Sequence, residues 1–122
     1  MRGTIVGIDV SETYLTVRVH HSGDRFRVRN GAAGLQEVRD RCLASIASLV
    51  VMEAKGRYHR ATHTCLHEAG IPVAIIDAYR TKWFADIFGR VAKTDMIDAK
   101  ILAKFAAILD PVPTELLILT MT

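Results

Sequence analysis

The chain has 122 residues and a mass of 13.5 kDa, 50% of its residues are hydrophobic, and its formal net charge is +3. This size and composition indicate one globular domain with a substantial core, and the mild positive charge permits a nucleic-acid partner without demanding one. The sequence has no apolar run of about 18 residues and no signal-peptide pattern at its start, so we expect a cytoplasmic protein with no membrane partner.

Three strands are predicted at the start of the chain. The run from Thr4 to Ser11 is rich in β-branched residues and apolar up to Asp9, which is typical of a buried strand that ends on a carboxylate. A second strand is predicted from Tyr14 to His20, and the Gly-containing turn after it predicts an antiparallel third strand, Arg25 to Arg29. Apolar and arginine side chains alternate in the third strand, so they should occupy opposite faces.

Strands and helices alternate in the rest of the chain. The spacing of apolar residues predicts helices over roughly Ala33 to Ser45, Tyr58 to Ala69, Tyr79 to Phe88, and Thr94 or Asp95 to Leu109. Trp83 is expected on the buried side of the third helix. Short apolar runs predict two more strands, Leu49 to Met52 and Ile71 to Ile76. Because strands that alternate with helices pair in parallel, we predict an α/β fold with a mixed five-stranded sheet, its first three strands antiparallel, and helices on both faces.

Four acidic residues occupy notable positions. Asp9 and Glu53 each end an apolar strand, and the carboxyl ends of parallel strands meet where open α/β sheets place their sites. Asp95 and Asp98 are three residues apart at a helix start, so they face the same way. Each signal is weak alone, because Asp9 or Glu53 could be a solvated strand end and Asp95 could be the N-cap of its helix. If the four converge, they need a cation such as Mg²⁺ or Mn²⁺, which could promote phosphodiester displacement.

Four sequence blocks, 7–11, 51–54, 56–59 and 89–99, resemble the N-terminal catalytic domain of the DEDD-type insertion-sequence transposases, relatives of the Piv and MooV DNA invertases. The most specific are Glu-Ala-x-Gly-x-Tyr-His at 53–59 and Lys-Thr-Asp-x-x-Asp-Ala at 93–99. The resemblance spans about Thr4 to Pro113. It implies a ribonuclease H-like fold close to that of the RuvC Holliday-junction resolvase. It also implies a catalytic and Mg²⁺-binding set, namely Asp9, Glu53, Asp95 and Asp98.

The chain departs from the family pattern in two places. After Glu53, Lys55 and Arg57 stand where the family usually has small residues. Full-length family members also continue into a C-terminal domain that carries a proposed nucleophilic Ser. We therefore expect residues 1–110 to form the nuclease domain and residues 111–122 to be a Pro-containing linker and the start of a missing C-terminal region. The apolar end of this segment favours a homo-oligomer, a dimer or larger.

Basic and aromatic residues near the carboxylates are candidates for nucleic-acid binding. We assign this role to Lys55, Arg57, Tyr58, His59, Arg60, Arg80, Lys82, Arg90 and Lys93. Taken singly, each basic residue is better explained as solvating a loop or a helix face. The resemblance implies DNA as the partner, and it implies a guide RNA as well, because some family members are guided by a structured RNA.

The predicted function is Mg²⁺-dependent cleavage and strand transfer of DNA by a transposase or site-specific recombinase. An alternative is a non-cleaving module that binds nucleic acid and dimerises. A sugar-kinase or actin-type ATPase shares the Gly-x-Asp first strand. However, no Gly-rich phosphate loop follows that strand here, and the chain is too short for a second lobe.

Overall fold

The computed structural model describes residues 3–20, 22–87 and 99–114. The elements within these ranges are, in chain order, β1 (Thr4–Val10), β2 (Tyr14–Val19), β3 (Arg25–Arg29), α1 (Ala32–Ala44), β4 (Ala47–Glu53), α2 (Arg60–Glu68), β5 (Val73–Ile76), α3 (Ala78–Ile87) and α4 (Ala99–Leu109). None of the helices in these ranges combines the length and the hydropathy of a membrane span.

The five strands form one mixed sheet in the order β3-β2-β1-β4-β5. The pairs β1–β2 and β2–β3 are antiparallel, whereas the pairs β1–β4 and β4–β5 are parallel. Helix α2 connects β4 to β5, as a parallel pair requires. This topology confirms the predicted α/β fold with three antiparallel strands at its start.

Helices cover both faces of the sheet, and each face has its own core. On the first face, Val6, Ile8 and Val10 of β1 pack with Val38 of α1 and Leu66 of α2. The core of the second face, under α3 and α4, contains Ile5, Leu49, Val51, Ala74, Ile76, Phe84, Leu102, Phe105 and Ala106. The alternation of side chains along β1 and β4 therefore decides which residues lie under α3 and α4.

Gly7 allows α4 to lie close to β1. A Cβ atom built on Gly7 would stand 2.7 Å from the backbone nitrogen of Ala103 and would clash with the carbonyl oxygen of Ala99. Side chains do not tolerate backbone atoms at such distances, so only glycine fits here. The first described turn of α4 thus lies directly over the strand that carries Asp9.

The expectation that Trp83 is buried is wrong, because 66% of its surface is exposed. Helix α3 instead buries Thr81 and Phe84, which are three residues apart and lie on the same side of the helix. Successive helical residues point about 100° apart. A helix that contacts the sheet along a narrow stripe therefore cannot bury both Trp83 and Phe84.

The segment after α4 binds the outer edge of β5. The N–H of Thr114 donates to the Val73 carbonyl at 2.7 Å, and the N–H of Ile75 donates to the Thr114 hydroxyl at 2.8 Å. His63 Nε2 lies 3.3 Å from the Thr114 carbonyl oxygen. These contacts satisfy backbone groups of an edge strand. The described part of the segment that we expected to be a linker is therefore held on the sheet, and residues 115–122 lie outside the described ranges.

Candidate active site

Asp9 and Glu53 lie side by side at one end of the sheet. Their strands run parallel, and the register pairs Ile8 with Met52, so the next residue along each strand is one of the two carboxylates. Ile8 and Met52 point into the core under α1 and α2. Alternation therefore turns Asp9 and Glu53 to the opposite face, the one covered by α3 and α4. Two acidic side chains thus share one face at the carboxyl ends of neighbouring parallel strands.

Helix α3 positions the Glu53 carboxylate. Glu53 is buried, with 7% of its surface exposed, and the hydroxyl of the fully buried Thr81 donates a hydrogen bond to its Oε2. A buried carboxylate is costly unless it is hydrogen-bonded, so this contact offsets part of its desolvation. The Thr81 hydroxyl also lies 3.1 Å from the carbonyl oxygen of Ala78 in the first turn of α3. The orientation of Glu53 therefore depends on how α3 is placed on the sheet.

Lys55 forms an ion pair with Asp9. The two residues are far apart in sequence, and the distance from Lys55 Nζ to Asp9 Oδ1 is 2.9 Å. Both side chains are partly exposed to solvent, so the pair adds about 1 kcal/mol or less to stability. The pair matters for the site because it places the Lys55 ammonium against the Asp9 carboxylate. Lys55, which the sequence analysis assigned to nucleic-acid binding, contacts the candidate metal ligand in this structure.

The loop between β4 and α2 is held by His59. Gly56 turns the chain with a φ of 53°, and the backbone N–H of Lys55 donates to His59 Nδ1 at 3.4 Å. Burial lowers the pKa of His59, Arg60 and His63 lower it further, and the hydrogen bond from Lys55 raises it. The net lowering favours the neutral ring, whose Nδ1 can accept a hydrogen bond. His59 therefore helps to fix the loop that carries Lys55.

The other residues predicted to bind nucleic acid fall into two groups. Arg57 and Tyr58 are exposed just before α2, Arg60 is exposed at its first residue, and Arg80 and Lys82 are exposed on α3. Four predicted site residues lie outside the described ranges: Arg90, Lys93, Asp95 and Asp98. The contacts of the described residues thus bring together Asp9, Glu53, Lys55 and His59.

Two contributors to this region were not predicted, Thr81 and Asn30. Asn30 Nδ2 donates to the carbonyls of Ser11 at 2.8 Å and Tyr58 at 3.3 Å, which joins the turn after β1 to the segment before α2. The sequence signal for Thr81 is weak, a single polar residue on the inner side of an otherwise apolar helical stripe. Asn30 has only the pattern of a residue that ends a strand. Both contacts join residues that are distant in sequence, which local patterns do not report.

The arrangement fits a divalent cation. Carboxylate oxygens are the ligands that Mg²⁺ and Mn²⁺ prefer, and the Lys55 ammonium already stands as a positive charge against Asp9. Within the described ranges, no group of three His, Cys, Asp or Glu side chains could hold a metal ion. Asp9 and Glu53 are therefore two carboxylates of the type that could contribute to a coordination shell.

Comparisons with known proteins identify the family. Residues 6–116 match the family model of the DEDD-type transposases of IS110 elements, described as “Transposase”. A structure of Thermus thermophilus RuvC aligns with a TM-score of 0.55 and 16% identity, over 90% of this chain and 98% of that chain. T. thermophilus RuvC in complex with Holliday junction substrate aligns with a TM-score of 0.54 and 16% identity, over 92% of this chain and 99% of that chain. The comparison with curated proteins gives no match.

The two kinds of similarity support different conclusions. Because identity to RuvC is only 16%, the structural likeness shows the fold alone, and it confirms the predicted RuvC-like, ribonuclease H-like architecture. The family match extends over nearly the whole chain. The chain therefore belongs to the DEDD-type transposase family.

Proposed function

We propose that this chain is the catalytic domain of a DNA transposase or site-specific recombinase, which cleaves DNA phosphodiester bonds and transfers the strands with Mg²⁺ or Mn²⁺ as cofactor. The observation that carries this proposal is the placement of Asp9 and Glu53 on one face at the ends of neighbouring parallel strands. Family membership supports nuclease-type chemistry. The RuvC relative in complex with Holliday junction substrate supports DNA as the substrate.

The proposed ligands are Asp9, Glu53, Asp95 and Asp98. Asp98 directly precedes Ala99 in the sequence, and Ala99 packs against Gly7 of β1. This closeness of α4 to the Asp9 strand supports including the acidic pair that precedes the helix. A divalent cation held by these carboxylates would supply an activated water and stabilise the leaving oxygen of an in-line displacement.

The protein residues prepare the site for this chemistry. Thr81 holds Glu53 through a hydrogen bond from its hydroxyl, which limits the orientations of the carboxylate before a cation binds. Lys55 balances the charge of Asp9 through their ion pair. Arg57 and Arg60 are exposed and follow Glu53 closely in sequence, which supports a role for them in contacting phosphate oxygens of the substrate.

Titration with Mn²⁺ followed by electron paramagnetic resonance tests the proposal. The wild-type chain should bind Mn²⁺, and Asp9→Asn should weaken this binding strongly because it removes a charged ligand. Asp40→Asn is the matched control, since Asp40 is an exposed carboxylate on α1. Binding to wild type that Asp9→Asn leaves unchanged, or no binding to wild type, would contradict the proposal. Cleavage of branched and linear duplexes with Mg²⁺, lost in Asp9→Asn, tests the nuclease step.

A second candidate is a module that binds nucleic acid and dimerises without cutting. In the described part of the chain only two carboxylates converge, and one of them is paired with Lys55, which favours this alternative. Gel-shift assays with and without Mg²⁺ separate the two functions. Binding that ignores the metal, with no cleavage under any condition, supports the module. The same gel-shift assays with RNA test the guide RNA that we propose as a partner. Light scattering tests the homo-oligomer that we propose.

A further inference from the structure

The half of the active-site face formed by β2 and β3 carries a row of arginines. In β2 and β3, Arg18 pairs with Arg25, Thr16 with Arg27, and Tyr14 with Arg29. We call this surface the arginine face, and it consists of Tyr14, Thr16, Arg18, Arg25, Arg27 and Arg29. Residues paired across strands share a face, and β1 pairs Asp9 with Thr16. The arginine face is therefore the lateral continuation of the face that carries Asp9.

In the part of the chain that the structure describes, no ion pair balances the charge of this surface. Within the described ranges, no carboxylate forms an ion pair with Arg18, Arg25, Arg27 or Arg29. The nearest acidic residues in sequence, Glu12 and Asp24, are exposed in the turns at the ends of β2. Like charges directly opposite each other, as at Arg18 and Arg25, destabilise a sheet. An anion bound between them would remove this repulsion.

Local contacts hold two of the four arginine side chains, those of Arg27 and Arg29. The guanidinium carbons of Arg27 and Arg29 lie 4.9 Å and 5.8 Å from the centre of the Tyr14 ring. Arg27 Nε donates to the Thr16 hydroxyl at 3.1 Å, which leaves its terminal N–H groups available for a ligand. Side chains that are ordered before binding lose less entropy when a ligand arrives.

The positive surface extends from the sheet to α4. A cleft of about 260 Å³ is lined by Arg18, His20, Gly23, Lys100 and Lys104. Lys100 and Lys104 are exposed and one helical turn apart, so they lie on the same side of α4. Basic side chains thus run from β3 across β2 to α4, the helix that packs on Gly7 of β1.

We infer that the arginine face binds the sugar–phosphate backbone of duplex DNA next to the cleavage site. Arg25, Arg27 and Arg29 recur every second residue, a spacing of about 6.6 Å, which is close to two steps of the 3.4 Å rise along one DNA strand. Arg27 lies two strands from Asp9 in the same cross-strand row, a distance of about 10 Å. A duplex with one phosphodiester at Asp9 therefore places further phosphates over these arginines. The inference rests on the proposed function, because it takes the DNA at Asp9 as the substrate.

Fluorescence anisotropy with a labelled duplex in EDTA measures this binding without cleavage. The test variant is Arg25→Gln/Arg27→Gln, and the matched control is Arg39→Gln/Arg41→Gln, which removes two arginines from α1 on the opposite face. Each lost phosphate contact should lower the slope of log K against log salt by about 0.9. The test variant should bind about tenfold more weakly or worse at low salt. The control should bind like wild type, and circular dichroism should show that both are folded.

The outcomes separate this inference from the proposed function. If the test variant binds duplex DNA like wild type, or if wild type does not bind it, the inference is wrong even when Mn²⁺ binds at Asp9. If the variant loses binding to single-stranded RNA but not to duplex DNA, the assignment of the partner is wrong. If the variant loses duplex binding while wild type binds no Mn²⁺, the inference is supported and the metal-dependent function fails.

Discussion

One face of the sheet contains two contrasting halves. The covered half, β1, β4 and β5 under α3 and α4, is apolar except for Asp9 and the buried Glu53. The arginine face on β2 and β3 carries four cationic side chains. Both halves follow the same alternation along their strands, and they differ because α3 and α4 leave the arginines of β3 exposed.

The comparison shows acidic and basic side chains close together on one face of the sheet. Asp9 has an ion-pair partner, whereas Arg27 forms no ion pair with the described residues. Asp9, Thr16 and Arg27 form one row across three strands, so the boundary between the halves runs through Thr16. Asp9 on one side is paired with Lys55, whereas Arg27 on the other side contacts Thr16 and Tyr14. The carboxylates of the covered half are of the type that binds cations, and the arginine face is of the type that binds phosphates. A metal-dependent nuclease reaction involves both a cation and phosphates.

Gly7→Ala should destabilise the covered half and have the largest effect on the free energy of unfolding. The added Cβ would clash with the backbone of Ala99 and Ala103, so we expect a loss of about 3 kcal/mol in the free energy of unfolding. Urea denaturation measures it. Gly31→Ser is the control, because a Cβ at Gly31 meets no atom within 4 Å and Ser is a good N-cap for α1. A Gly7→Ala protein as stable as wild type would show that α4 does not press on β1.

Thr81→Val should destabilise the covered half less than Gly7→Ala does. It removes the hydroxyl that donates to the buried Glu53, and an unsatisfied buried acceptor costs about 2 kcal/mol. Thr81→Ser, which keeps the hydroxyl, should retain most of the stability. In a Glu53→Gln background the loss should be smaller, and a double-mutant cycle measures the difference. Equal losses in both backgrounds would argue against a contact between these side chains.

Lys55→Met removes the positive charge beside the Asp9 carboxylate. Removal of the ammonium from Asp9 should strengthen Mn²⁺ binding several-fold, because the cation no longer competes with Lys55 for the carboxylate. The loss of stability should stay at about 1 kcal/mol or less, since the pair is partly exposed. Arg57→Met, which removes an exposed cation from the same loop, is the control. Unchanged or weaker Mn²⁺ binding in Lys55→Met would refute this competition.

The free energy of unfolding should depend on pH through His63, which contacts Thr114 beside β5. Burial is the main cause that lowers the pKa of His63, while its bond with Thr114 raises it and His67 lowers it. The unfolded state then binds a proton more readily than the folded state. The stability from neutral His63 is full above its ordinary pKa of about 6.5 and is lost as pH falls through the folded value. His63→Gln should flatten this dependence in denaturation curves, and an unaltered curve would contradict the assignment.

Arg27→Gln should have the smallest effect on stability. Arg27 is exposed, so we expect a change within about 0.5 kcal/mol in the free energy of unfolding. Thermal denaturation beside Gly7→Ala gives the direct contrast between the halves. A large loss in Arg27→Gln would mean that the arginine face has a structural role, and the binding comparison would then need Arg25→Gln alone.

The sequence predicted the strands, their antiparallel start and the α/β class well, because these depend on local patterns. The alternation in Arg25–Arg29 placed Phe26 and Val28 against α1 and the arginines outside, as the structure shows. The prediction for Trp83 failed because apolar periodicity does not say how wide a stripe a helix buries. The pairing of Lys55 with Asp9 was also missed, because the two residues are 46 positions apart in sequence and local patterns do not report such contacts.

The sequence by itself determined that two apolar strands end on carboxylates and that arginines alternate in a third, since these are properties of neighbouring residues and a two-residue period. Only the tertiary structure decided that Asp9 and Glu53 are adjacent, that Thr81 reaches Glu53, and that the three arginines of β3 stay exposed. Register and helix placement result from long-range packing, such as the close approach at Gly7, and no local pattern encodes them.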